Sequence, residues 1–364
     1  MGIITNTKIL MEFVDDYDSP IRIVNKDNMI IYLNKTMTNL FGNLLGEQAD
    51  IIFLEGSGKT PKSFKDDFNT KKQQVYIGEA LYSITSYPIK EDGNEYYVEI
   101  FRDITEQKKI EARLKNNYNN LIKETQFARS IQNSVLPISD TYWNTLSLHA
   151  EYLPADDLGG DMYDIMKLNE NEVLMYMADV SGHGIKAALL TIFLREVVRG
   201  MCYIANEGLD KLLSSLLRHY SALDIDAEMY FSIIVCKYNK QSQELSIANA
   251  GHNCFPMILR KKGRIEEVPI KGLPITKMGI DNAYDEEIVG IYPGDRIILY
   301  TDGIVEAYSE DLGTEFGVQG MRNVVSSNFE LSSEDLCKSI ITEAEKHSKT
   351  KAKDDRSLMI VSIL

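Results

Sequence analysis

Two apolar runs in this 364-residue chain each end in an aspartate with a glycine close behind, and this limits the possible folds more than any other feature. Val173-Leu174-Met175-Tyr176-Met177-Ala178 leads into Asp179, with Gly182 and Gly184 following. Arg296-Ile297-Ile298-Leu299-Tyr300-Thr301 leads into Asp302-Gly303. Short β-branched and aromatic runs of this kind read as buried strands, so both carboxylates belong at strand ends. Glycine there lets backbone come close to a ligand. Three more islands complete the pattern: Gly159-Gly160-Asp161, Ala250-Gly251-His252-Asn253 and Asp354-Asp355-Arg356-Ser357. Carboxylates that converge from separate strands repel one another unless a cation neutralises them. Oxygen donors without a His/Cys set favour Mg²⁺ or Mn²⁺ over zinc. The pattern implies a metal-dependent hydrolase acting on phosphate.

The blocks also carry a specific likeness. Tyr152-x-Pro154-Ala155-x-x-x-Gly159-Gly160-Asp161-x-Tyr163-Asp164, Asp179-Val180-Ser181-Gly182-His183-Gly184, Ala250-Gly251-His252, Thr301-Asp302-Gly303-Ile304-Val305-Glu306-Ala307 and Asp354-Asp355-x-Ser357 follow one another in order. Together they resemble the SpoIIE/RsbU-type serine phosphatases, the bacterial branch of the type 2C metal-dependent protein phosphatases, over roughly residues 126 to 364. The resemblance implies two ions, Mn²⁺ or Mg²⁺, and a catalytic set of Asp161, Asp179, Asp302 and Asp354. Asp179 would bridge the ions with the Val180 carbonyl ligating beside it. Asp302 and Asp354 would complete one metal and Asp161 the other. The Asp-x-x-Ser register favours Asp354 and leaves Asp355 as the alternative ligand or a supporting carboxylate. The usual substrate in that family is a phosphorylated STAS-type anti-sigma-factor antagonist. The histidine that can serve eukaryotic relatives as general acid is not matched, because Ser181 holds the nearer position. His183 reads instead as a capping or supporting residue at the next helix start, and His252 as a loop-shaping hydrogen bonder. No arginine equivalent to the eukaryotic phosphate grip precedes Gly159. Gly159-Gly160-Asp161-Met162-Tyr163 has only a superficial likeness to the Gly-Gly-Asp-Glu-Phe loop of diguanylate cyclases, because the Glu is absent.

The N-terminal third has a different grammar. Ile21 to Asn25, a turn at Lys26-Asp27-Asn28 and Met29 to Asn34 predict a β-hairpin. Lys35 to Phe41 predicts a helix stopped by Gly42. Gln74 to Tyr82 and Glu95 to Phe101 alternate like strands, with a turn at Glu91-Asp92-Gly93-Asn94. Val24-Asn25-Lys26-Asp27-Asn28-Met29-Ile30 and the closing Asp103-Ile104-Thr105 resemble a PAS sensor domain over residues 12–105, after a short lead at 1–11. The first histidine is His149 and the first cysteine Cys202, which excludes histidine-ligated haem and a flavin–cysteinyl adduct from this segment. Its ligand is left unnamed. Tyr76, Tyr82, Tyr87 and Phe101 read as core packing.

Residues 106–137 contain no Gly or Pro before Pro137, and Leu114, Leu121, Ala128 and Val135 recur every seven. This predicts a helical linker able to pair with its twin as a short coiled coil, giving a homodimer. The linker has no histidine, which excludes a histidine kinase. A third region, 138–364, carries the phosphatase blocks. Its helices are expected at 184–200, 208–223 and 333–347, with strands at 230–238, 244–248, 257–260, 296–301 and 358–363. The expected fold class is α+β: a PAS-like domain, a helical linker and an α-β-β-α sandwich with the site at a sheet edge. Against 39 Lys+Arg stand 54 Asp+Glu, a net −15, which disfavours nucleic acid as a partner. With no apolar run of ~18 residues and four scattered cysteines, the expected location is the cytoplasm, away from membranes. The rival function is a non-catalytic PAS scaffold that binds a phosphoprotein.

Overall fold

The computed structural model describes residues 12–50, 69–182, 184–225, 228–277, 284–349 and 352–364; the 1–11 lead and His183 lie outside them. The chain divides into two units, Met1–Asn120 and Leu121–Leu364. In the first, β1 (Ile21–Asn25) and β2 (Ile30–Leu33) form the expected hairpin. Helix α1 (Lys35–Phe41) starts where the Asn34 side chain accepts from Met37 N–H at 2.9 Å. It stops at Gly42, whose φ of 83° suits a residue without Cβ. Strands β3 (Lys71–Ile77), β4 (Ala80–Glu91) and β5 (Asn94–Asp103) complete an antiparallel sheet in the order β2-β1-β5-β4-β3.

Two expectations need correction here. The Gln74–Tyr82 run is not one strand, because it turns at Gly78 (φ 62°) and splits between β3 and β4. Polar–apolar alternation carries across that two-residue turn, so periodicity could not reveal it. Tyr82 and Phe101 do pack in the core, together with Met37 and Ile84. Tyr76 and Tyr87, however, are 57% and 44% exposed on the outward side of the pleat. The Asp103-Ile104-Thr105 signature has a physical basis. The Asp103 carboxylate accepts from the Thr105 N–H at 2.8 Å and hydroxyl at 2.6 Å, Ile104 is buried, and Thr105 Oγ1 accepts from Leu81 N–H at 2.7 Å.

Helix α2 (Thr105–Val135) runs 31 residues without a break, roughly 47 Å at 1.5 Å per residue. Ile110, Leu114, Tyr118 and Leu121 all lie more than half exposed along it. In the second unit β6 (Asp140–Tyr142), β7 (Leu146–Leu153), β8 (Asp161–Lys167) and β9 (Glu172–Val180) come first. Helices α3 (Ile185–Met201) and α4 (Leu209–Ser221) precede β10 (Tyr230–Asn239), β11 (Glu244–Ala250), β12 (Met257–Leu259) and β13 (Ile265–Glu267). Then follow β14 (Glu286–Gly290), β15 (Arg296–Tyr300), the one-turn α5 (Asp302–Val305), α6 (Gly317–Ser327), α7 (Ser333–Ser348) and β16 (Arg356–Ile363).

These strands build two antiparallel sheets, ordered β14-β11-β10-β9-β8 (with Ile275–Thr276 also pairing β10) and β13-β12-β15-β16-β7-β6. Side-chain alternation sorts each strand between two cores. On β9, Leu174, Tyr176, Ala178 and Val180 pack against Leu190, Leu194 and Val198 of α3 and Leu212 and Leu216 of α4. Val173, Met175 and Met177 face the other way, onto Leu148, Leu299, Met359 and Val361 of the opposite sheet. Ile298, Tyr300, Leu358 and Ile360 form a third core with α6 and α7. The layering is helix, sheet, sheet, helix. No helix among the described residues is long and apolar enough to cross a membrane.

Candidate active site

The pleat dictates where the site lies. Met175 and Met177 point into the space between the sheets, so Asp179, two positions on, does too. The same parity carries from Tyr163 to Asp161, from Ile234 to Ser232, from Leu299 to Thr301 and from Met359 to Ser357. Asp161 and Asp179 are direct cross-strand partners, and Asp179 is likewise opposite Ser232. The apolar interlayer therefore ends in a polar tier fed by both sheets. One carboxylate oxygen of Asp161 accepts from the Thr301 hydroxyl at 2.8 Å and the Ser357 hydroxyl at 2.7 Å, joining the two sheets across the tier. Asp161 is only 2% exposed. Burial, and then the Asp179 charge, hold its carboxyl well above the ordinary range despite those hydrogen bonds.

Asp179 is where charge accumulates. Burial first, and then Asp302 and Asp354, push it up to about 7. Asp302, Asp354 and Glu306 are raised as well, each mainly by burial. Asp302 opens α5 directly after β15, and Asp354 precedes β16. Among the described residues no three acidic, His or Cys side chains stand close enough to enclose an ion as they are placed. The donor set nonetheless fits a hard cation: it is all oxygen, and each acid is raised in a direction that a bound positive charge would reverse.

Asp355 behaves differently from Asp354. One of its oxygens accepts from Ala155 N–H at 2.8 Å and the other from Gly160 N–H at 2.5 Å, which clamps the Gly159-Gly160 loop. Gly160 takes the Val180 N–H on its carbonyl at 2.9 Å. Its own N–H goes to Asp355, however, so it does not close the ladder onto the Val180 carbonyl. A Cβ on Gly160 would strike that same carbonyl, and a Cβ on Gly159 would strike Asp355 and the Tyr152 hydroxyl. The paired glycines are thus required by close backbone approach.

The surrounding residues are fixed by hydrogen bonds. His252 is buried, with Nε2 3.0 Å from the Tyr300 carbonyl and Nδ1 3.1 Å from the Ser232 hydroxyl. The carbonyl can only accept, which assigns the proton to Nε2 and leaves Nδ1 to accept from Ser232. Burial lowers this imidazole to about 4, so His252 is a neutral brace for the loop, as its sequence context suggests. Gln132, buried on α2, donates to the Gly159 carbonyl at 2.7 Å and to Thr191 Oγ1 of α3 at 3.1 Å. Asp164 receives Arg199 through two contacts of 2.6 and 2.8 Å, tying α3 to β8. A cleft of about 110 Å³ at the tier is lined by Asp179, Ser181, Tyr230, Ser232, Gly251, His252, Asn253, Cys254 and Asp302. Reasoning from sequence gave no role to the Thr301 and Ser357 hydroxyls, to Ser232 or to Glu306. Thr301, Ser357 and Glu306 lie inside the blocks already singled out, and only strand pairing shows what they touch.

Comparison with known proteins defines the class. The SiaA-PP2C domain of Pseudomonas aeruginosa superposes with a TM-score of 0.58 over 68% of this chain and 99% of that domain, at 18% identity; the fold is that of the PP2C phosphatases. Phosphoserine phosphatase RsbU of Bacillus subtilis (strain 168) is 25% identical over 242 residues, 65% of this chain and 69% of RsbU. Phosphoserine phosphatase RsbP of the same organism is 26% identical over 197 residues, 51% of this chain and 46% of RsbP. Residues 169–364, more than half the chain, match the Stage II sporulation protein E (SpoIIE) family. The chain belongs to that family and is a metal-dependent protein serine/threonine phosphatase.

Proposed function

We propose that the second unit hydrolyses phosphoserine or phosphothreonine on a protein with two divalent ions, Mn²⁺ or Mg²⁺, held at the polar tier. The observation that carries this reading is the convergence on Asp179: a half-buried carboxylate raised to about 7 beside Asp302 and Asp354, and opposite Asp161. Asp179 would be the ligand common to both ions, with the Val180 carbonyl beside it; Asp302 and Asp354 would help hold one ion and Asp161 the other. Asp355 is the positioning carboxylate of the pair, because both its oxygens already hold the glycine loop. When bound, the ions supply an activated water and charge stabilisation at the phosphoryl group. The protein's own contribution is to bury, orient and crowd the acids so that the cations are taken up in register. His252, neutral and tied at both nitrogens, braces the loop and is not the general acid.

The substrate in this reading is a phosphorylated STAS-type anti-sigma-factor antagonist, supported by the similarity to RsbU and RsbP. The first unit is a PAS-like sensor, supported by its hairpin, short helix and three-stranded meander. The exposed apolar stripe of α2 supports a homodimer through the linker. The protein acts in the cytoplasm, without nucleic acid or membrane as partner. Calorimetry with Mn²⁺ on the full chain separates catalyst from scaffold. Two ions should bind, Asp179→Asn should abolish both, and Asp354→Asn should weaken binding more than Asp355→Asn. No binding at millimolar Mn²⁺ leaves the scaffold reading.

A further inference from the structure

Two depressions adjoin the carboxylate cleft, and only one of them is free of acidic side chains. One flanks Asp354 and mixes the acids Glu306 and Glu310 with the cations Lys353 and Arg356. Its Arg356 guanidinium is already engaged, donating to the Gly303 carbonyl at 3.0 Å and the Ser348 hydroxyl at 3.4 Å. The other shares Tyr230, Gly251, His252 and Asn253 with the cleft and extends past Phe255 to Lys271. It has a volume of about 400 Å³ and no acidic residue in its wall. Lys271 is exposed and, among the described residues, has no acidic partner. An exposed ammonium at the edge of an acidic cleft in a chain of net charge −15 is an attractive point for an anion.

The groove is also preformed. The Asn249 side chain donates to the His252 and Ile270 carbonyls, both at 2.8 Å, stitching its two walls together. Gly251 sits at φ 78° with Pro274 only 2.6 Å from where its Cβ would lie, and a Cβ on Gly272 would strike the Asn249 carbonyl. A rigid, ready-made groove spares a bound chain the cost of ordering its partner.

Resting on the phosphatase reading above, we propose that the substrate polypeptide enters through this groove, and that Lys271 pairs with an acidic side chain neighbouring the phosphorylated residue. Tyr230 and Phe255 then supply aromatic surface for the flanking backbone.

The test uses the full chain and two fluorescent phosphoserine peptides, identical except for Asp or Lys on either side of the phosphoserine. KM and kcat are read from phosphate release in Mn²⁺, and affinity separately from fluorescence anisotropy. Lys271→Glu should shift the ratio of the two KM values about tenfold against the Asp-flanked peptide, and Lys271→Gln about half as far on a logarithmic scale, as expected for a partly exposed ion pair. The two kcat values should keep their ratio. An equal change for both peptides would mean that Lys271 meets the phosphate, and no change would mean that the chain lies elsewhere; either overturns the proposal. If wild type bound both peptides but released no phosphate, the catalytic reading would fall, and the anisotropy ratio would still decide the groove.

Discussion

Gly160 shows how a single residue decides what this tier can hold. Its carbonyl takes the Val180 N–H, its own N–H goes to Asp355, and its missing side chain leaves the Val180 carbonyl uncovered. Gly160→Ala should drive a methyl against that carbonyl and lower apparent Mn²⁺ affinity at least tenfold, while the far-ultraviolet circular dichroism stays native; unchanged metal dependence would contradict the Val180 assignment. His252 makes a prediction about acid stability. Its folded pKa is about 4 against an unfolded value near 6.5. The stability it contributes is therefore fully present above pH 6.5 and is lost as pH falls from 6.5 towards 4, by an amount on the order of 3 kcal/mol. Denaturant midpoints measured from pH 7.5 to 4.5 should fall less steeply for His252→Gln than for wild type. Equal slopes would show that His252 is not buried neutral. Asp179 and Asp302 were legible because each ends an apolar run, and Asp161 and Asp354 because they lie in the blocks that carry the family likeness. The Thr301 and Ser357 hydroxyls were not, because their meeting on Asp161 depends on the parity of two strands more than fifty residues apart.

Among the elements, α2 is the one whose sequence speaks most directly: 31 residues with no Gly or Pro, and apolar positions that the fold leaves exposed. At its C-terminal end Gln132 grips the Gly159 carbonyl and Thr191 of α3, so a shift of the helix bears on the loop that carries Asp161. Leu121→Pro removes a helical hydrogen bond and should cost about 3 kcal/mol of local stability. Light scattering is expected to find a dimer for the wild type and a monomer for the variant, with the second unit still melting cooperatively. A variant that remains dimeric, or a wild type that is monomeric, contradicts pairing through α2. Helices α3, α4 and α7 fall within a few residues of the ranges their periodicity predicts. Strand β8 escaped notice because Met162, Tyr163, Asp164, Ile165 and Met166 are buried on both faces and show no alternation. Helix α6 escaped because it opens on Gly317 at φ 71° and contains Gly320, which read as a loop.

At the scale of the whole molecule, the architecture of the second unit follows from strands that feed two cores and helices that cover both outer faces. That layering places the carboxylates at one end of the interlayer, where like charges raise one another's pKa, a direction that a bound cation would reverse. The first unit is less legible. Its hairpin and helix are readable from turn chemistry, yet nothing in residues 12–105 names a ligand. We propose that the crowded acids around Asp179 make the chain a metal-dependent phosphoserine hydrolase. The most direct test is phosphate release from a phosphoserine protein by the full chain, in Mn²⁺ and in excess chelator, for wild type and Asp179→Asn. Turnover is expected only with metal, and the loss in Asp179→Asn should exceed the roughly 100-fold seen when a residue merely supporting a metal ligand is removed. Turnover that persists in chelator, or an Asp179→Asn protein of near-wild-type activity, would contradict it.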